Sequence, residues 1–295
     1  MFDPATTPAP STCALAKIFV RLVIPCILTC LTGYFTIATN TIIAGQLNDP
    51  VKLSAVSLGQ TSSTLIFFVI ALGLNAAQET LTSQAFGAGN MRLVGVYLNR
   101  GRFILVASFI VLALLQVFIV EDFFLLTGQD EEVASLAASQ FFYLIPGMFS
   151  IGQFDLLKRW LACQRMTFAP MVVMLICCVL HVPLALLLVH TLEMDILGLA
   201  VASSISYFLM VASLTLYCTC SEQVSQVLQP IDREAFQGWG AQLKASLPIV
   251  VIVTAIFWSS NIMLFMAGNM GVNSIAAMSV PNTFQNILVM VSMGV

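Results

Sequence analysis

The stretch that decides the fold is GLNAAQETLTSQAFGAGN, from Gly73 to Asn90, directly behind an apolar run that begins at Leu53. It sets a carboxylate (Glu79), amides (Asn75, Gln78, Gln84), hydroxyls and small residues where a plain anchor would carry leucine. Small residues let helices approach closely and hydroxyls bond across them, so the pattern marks a membrane protein with a working interior. A carboxylate at bilayer depth costs ~2.5–3.5 kcal/mol at the centre and less toward the interface. Glu79 therefore needs a partner, and Arg100 and Arg102, across a short turn, are the candidates.

The rest of the chain agrees with this reading. It has 295 residues, of which 59% are hydrophobic and 8% charged, with a mean hydropathy of +0.97. Soluble domains carry about a quarter charged residues, so a soluble globule is excluded. Eight stretches are long enough, or nearly so, to cross a hydrocarbon core of ~30 Å: about 18–45, 53–74, 103–120, 140–154, 168–189, 196–216, 247–267 and 275–295. Backbone groups in lipid must be satisfied within their own segment, which makes these helices, and the short alternating segments of a β-barrel are absent. The fold class expected is an all-α polytopic membrane protein of about eight transmembrane helices.

Lys and Arg set the orientation. With the N-terminus cytoplasmic, Lys17, Arg21, Arg92, Arg100, Arg102, Lys158, Arg159, Arg165, Arg233 and Lys244 fall inside and only Lys52 outside. The acidic cluster Glu121, Asp122, Asp130, Glu131 and Glu132, with Glu193 and Asp195, then faces out. Residues 1–16 read as a disordered tail, and the first apolar run is too long for a cleaved signal. The cysteines lie in helices or on the cytoplasmic side, so no disulfide framework is expected. Their spacings complete no four-ligand metal set. There is no Ser-His-Asp grouping, no phosphate-cradling loop and no nucleic-acid patch, which argues against an enzyme or a nucleic-acid partner.

The chain also matches itself. A shift of 223 lays Ile24-Pro25 through Ala44-Gly45 on Leu247-Pro248 through Ala267-Gly268; after a shorter loop Ala55, Ile66 and Gly73 fall on Ala276, Ile287 and Gly294. Both copies start from the same side, the mark of a parallel repeat about an axis normal to the membrane. The domains expected are a six-helix lobe over 17–220, a cytoplasmic linker over 221–246 with an interfacial helix at 231–239, and the start of a second lobe over 247–295. That second unit holds two helices, so a chain shortened by roughly four helices is expected.

With these features assembled, the sequence resembles the multidrug and toxic compound extrusion (MATE) transporters, particularly their eukaryotic branch. The resemblance is carried by Ala44-Gly45-Gln46-Leu47, by Ala55-Val56-Ser57-Leu58-Gly59, by Gly73 to Asn90 with Tyr97 to Arg102, by Gly128-Gln129-Asp130, by Arg159 to Gln164, and by Glu234 to Trp239 leading into Leu247-Pro248. Glu79 to Asn90 is the most specific part. The resemblance implies a secondary transporter exporting organic cations or xenobiotics in exchange for H⁺ or Na⁺, with no other cofactor, in the plasma membrane or a vacuolar or other endomembrane.

The family's coupling residues do not carry over. Asn40 stands where the prokaryotic branch has a first-helix aspartate, His181 and Ala185 stand for its fifth-helix Asn and Asp, and Ser203 for a sixth-helix Thr. The two seventh-helix glutamates of the eukaryotic branch meet Ile256 and Asn261. Three alternatives remain: Glu79 and His181 take over, the coupling groups lie beyond Val295, or the protein is a degenerate paralogue without transport. Histidine titrates near neutral pH, although one beside Pro183 on an apolar helix also fits hydrogen-bonded packing. Asp155 reads as a local pair with Lys158. The candidate substrate and cation pathway comprises Asn40, Asn75, Glu79, Gln84, Gln153, His181, Ser203 and Asn261. A lipid-linked precursor flippase ranks lower, because the helix interiors carry no cation apart from Arg21 near an end. Abundant Met and Phe, 14 and 21 residues, suit an adaptable apolar wall.

Overall fold

Capping residues fix where the helices begin. Asp49 accepts from the backbone N–H of Val51 at 2.9 Å and Pro50 opens the helix that follows, the position where proline's missing N–H costs nothing. Asp130 does the same for Glu132. The computed structural model describes residues 12–117, 119–268 and 270–293. Its α-helices are α1 (Thr12–Gln46), α2 (Pro50–Ser63), α3 (Val69–Gly87), α4 (Met91–Val117), α5 (Val120–Leu126), α6 (Glu131–Cys163), α7 (Phe168–Leu186), α8 (Asp195–Cys220), α9 (Glu222–Ser225), α10 (Trp239–Gly268) and α11 (Val272–Met293). A π-helical turn over Thr64–Phe68 joins α2 and α3 into one span, and another over Leu187–Thr191 closes α7.

Seven of these elements are long and apolar enough to cross a membrane, and α11 supplies an eighth long helix. The expected spans are lengthened at their ends. The one placed at 140–154 runs from Glu131 to Cys163, and the one at 53–74 continues as helix to Gly87. Hydropathy alone missed these ends because they are polar yet fully hydrogen-bonded as helix. The acidic trio Asp130, Glu131 and Glu132 thus caps and starts α6, since carboxylates favour a helix N-terminus. At the other end of the chain α1 begins at Thr12, inside the expected tail; residues 1–11 and 294–295 lie outside the described residues.

The core lies where α6 meets α2 and α8, with Trp160, Phe141 and Phe154 buried. Gly59 makes this contact possible, since a Cβ there would lie 2.8 Å from both the Ala137 carbonyl oxygen and the Gln140 Cβ. The two stretches matched by the 223-residue shift have the same local form. Pro25 sits inside α1 and Pro248 inside α10, and each helix is followed after a short connection by the second of its pair. α10 packs on α3, and α11 on α1 and α2. One expectation fails. Residues 231–239 do not form an interfacial helix: only Arg233–Phe236 form a single 3-10 turn. Pro230 before it and Gly238 after it, the latter at φ +74, break the backbone there, and α10 starts at Trp239. The linker instead docks on α4, with Asn99 donating to the Gln229 carbonyl at 2.9 Å and Arg92 paired with Glu234 at 2.8 Å.

Candidate functional site

A cavity of about 260 Å³ lies between α1, α2, α6 and the two helices of the second copy. Its walls carry Cys26, Tyr34, Ser57, Gln60, Thr64 and Phe68 from the first three segments, and Phe257, Asn261 and Leu264 from α10. Glu79, Asp155, Lys158 and Arg159 line its basic end. Thr29 donates to the carbonyl of Pro25 at 2.6 Å and Ser150 to that of Pro146 at 2.9 Å. In both helices a hydroxyl four residues on thus bonds the proline's own carbonyl, a pattern that bends helices.

The four charged side chains form one network. Arg159 Nε donates to Asp155 Oδ2 at 2.8 Å and its Nη1 to Glu79 Oε2 at 2.6 Å. Lys158 Nζ lies 2.8 Å from Asp155 Oδ1, and Asn75 Nδ2 donates to Asp155 Oδ2 at 2.9 Å. Asp155 is 2% exposed, so this pairing is what lets a carboxylate stay there. The partner expected for Glu79 is thereby corrected. Arg100 and Arg102 do not reach it, because Arg100 turns toward the linker, donating to the Glu234 carbonyl at 3.1 Å and lying over the Tyr97 ring. Asp155 does pair with Lys158 as expected, but it also takes Arg159 one residue on and reaches across to α3. The expectation of an interior without cations is corrected as well. Lys158 and Arg159, expected on the cytoplasmic side beyond the apolar span, lie in the last turns of α6 within the cavity wall. Each is matched by a carboxylate, so the group carries no net charge.

The pathway residues expected from sequence divide into separate places. Asn40, His181 and Ser203 meet in a sealed cluster away from the cavity, with His181 fully buried. His181 Nε2 lies 3.0 Å from Asn40 Oδ1 and Nδ1 3.0 Å from Ser206 Oγ. Asn40 Nδ2 donates to Ser203 Oγ at 2.7 Å, which donates to the Leu199 carbonyl at 2.8 Å. An amide oxygen can only accept, so the neutral ring carries its proton on Nε2 and accepts from Ser206 on Nδ1. Every group in this chain of bonds is satisfied. Asn75 and Glu79 belong to the charged network, and Asn261 lines the cavity and donates to the Phe257 carbonyl at 2.8 Å. Gln153 binds the Arg102 carbonyl at 3.3 Å, and Gln84 is exposed at the end of α3; neither lines the cavity. Sequence reading passed over Arg159, whose signal was its place four residues after Asp155, one turn along the same helix face.

Fold and cavity together define a polytopic α-helical membrane protein with a polar cleft between its first helices, α6 and the pair α10 and α11. The chain belongs to the MatE family, whose profile matches residues 9–187. Protein DETOXIFICATION 18 of Arabidopsis thaliana is 28% identical over 255 residues, covering 86% of this chain and 54% of its own length. Multidrug and toxin extrusion protein 2 of Mus musculus is 29% identical over 280 residues, covering 95% and 48%. Among solved structures, the crystal structure of the eukaryotic MATE transporter AtDTX14 matches with a TM-score of 0.86 at 25% identity, over 95% of this chain and 62% of that one. The chain spans about half the length of the curated relatives it matches.

Proposed function

We propose that this chain forms the first lobe and the opening helices of the second lobe of a secondary transporter that exports small organic cations or other xenobiotics across a membrane in exchange for H⁺ or Na⁺. The observation that carries the reading is the cavity at the seam between the two copies, where a solute can be held while the lobes move about it. Its mixed wall, with Phe68, Phe257 and Met148 beside amides and hydroxyls, suits ring-bearing organic solutes. The basic end faces the cytoplasm in this reading, so Glu79 and Arg159 stand at the inner mouth. The test is gradient-driven flux of a fluorescent organic cation in proteoliposomes holding the purified protein. Collapsing the H⁺ and Na⁺ gradients in turn is expected to abolish flux in one case. Flux unchanged by both treatments overturns antiport, and absence of flux overturns transport by this chain.

A further inference from the structure

Two buried polar groups in the cavity wall have nothing to bond. The Gln60 side-chain nitrogen and the Ser57 hydroxyl belong to cavity-lining residues 5% and 8% exposed, and have no hydrogen-bond partner among the described residues. A buried donor left unmade carries its full desolvation penalty, so such a group in a cavity wall points to what fills the cavity. Their direction is set by Gly59, whose face is pressed on α6. At about 100° per residue, Gln60 and Ser57 lie roughly 100° and 160° round the helix from it, toward the cleft. They are three residues apart and therefore neighbours on one face.

Among the described residues, the charged ones that line the cavity are Glu79, Asp155, Lys158 and Arg159. Glu79, the charged cavity residue on the same span, lies 19 residues on, about 28 Å along the helix, and all four charged side chains of the wall are paired with one another at the basic end. A cation cannot satisfy an amide N–H, whereas an oxygen can. Beside the two groups, Phe68 and Phe257 offer ring faces.

The geometry points to Gln60 and Ser57 as specificity-determining residues that hold a carbonyl, ether or hydroxyl oxygen on a ring-bearing part of the ligand that is itself uncharged, with the ring against Phe68 and Phe257. Calling that ligand a substrate rests on the transporter reading above; the binding itself does not. The donors reward an acceptor and leave a ring without one no tighter than its apolar contacts allow.

The test uses fluorenone and fluorene, which differ by one ring carbonyl, as radiolabelled ligands of the purified full chain. Wild type is expected to bind fluorenone about tenfold more tightly than fluorene, a typical worth for one buried hydrogen bond. Gln60→Leu with Ser57→Ala removes that difference and melts no lower than wild type, because the unpaired donors are gone. Gln60→Glu, which replaces a donor by an acceptor, weakens fluorenone and favours 9-aminofluorene. Equal binding of the two ligands by wild type, no binding of either, or a difference that survives the double substitution overturns the proposal. Gradient-driven flux measured on the same preparation separates the two readings. Discrimination without flux removes transport and keeps the site, and flux without discrimination removes the site and keeps transport.

Discussion

Arg159→Leu is the perturbation that bears most directly on the network at the basic end. The guanidinium bridges two carboxylates, Asp155 at 2.8 Å and Glu79 at 2.6 Å. Removing one partner of a buried pair costs ~3–5 kcal/mol, because the other charge stays buried without compensation. Asp155 keeps Lys158 and Asn75, which holds its share near the lower end of that range. The side chain of Glu79 is 39% exposed, and water screens a pair of that exposure to ~1 kcal/mol or less. The expected loss is therefore about 3 kcal/mol, read as a lower midpoint in thermal and denaturant unfolding of the detergent-purified protein. Arg159→Lys, with a single ammonium that cannot fork to both acids, falls between the leucine variant and wild type. The decisive measurement is a double variant. Asp155→Asn removes the buried charge that Arg159→Leu strands, so the pair is expected to be more stable than Arg159→Leu alone. A double variant no better than the single, or a single variant that melts as wild type, refutes the reasoning.

Three further substitutions probe other parts of the fold. Gly59→Val drives a side chain into the Ala137 carbonyl and Gln140, backbone and a buried residue that cannot step aside, and is expected to destabilise by ~1–3 kcal/mol; unfolding midpoints read it. His181→Phe keeps the volume of the sealed cluster but leaves Asn40 Oδ1 and Ser206 Oγ without their partner, at ~1–3 kcal/mol for each group left unsatisfied, and the loss should be the same with or without an ion gradient. Lys52→Ala removes the pair with Asp195 at the acidic end, where both side chains are about a third or more exposed; ~1 kcal/mol or less is expected, vanishing at high salt.

Much of the architecture was legible because hydropathy and periodicity are properties of single segments. The eight helices, the paired prolines at 25 and 248 and the short connections after Gly45 and Gly268 follow from local sequence. What was not legible depends on facing. Asn40, His181 and Ser203 share a cluster although they sit up to 163 residues apart. Their grouping came only from the family resemblance; nothing in the three segments taken singly says which way each side chain turns. Arg159 falls outside the span a hydropathy window marks, because charge weighs against membrane span there, yet two carboxylates neutralise it in place. Residues 231–239 carry apolar groups at helical spacing and still do not form a helix, because Pro230 and Gly238 bracket too few residues to nucleate one.

The segment from Gly73 to Asn90 gains its meaning from having three faces in use. Toward α6 it is bound by charge-assisted contacts through Glu79 and by Asn75 on Asp155. Toward α4, Gln78 donates to the Tyr97 carbonyl; toward α10, Gln78 accepts from Gln242, and Gly73 admits Val250 so closely that any Cβ would strike its backbone. At the opposite end the two copies meet through α2 and α11, where Ser54 donates to the Val272 carbonyl at 3.1 Å. Charge-assisted bonds in a buried setting are about twice as strong as neutral ones. α3 is therefore held to α6 by charge-assisted bonds and to α10 by a neutral side-chain hydrogen bond and close apolar packing, two different kinds of contact on two of its faces.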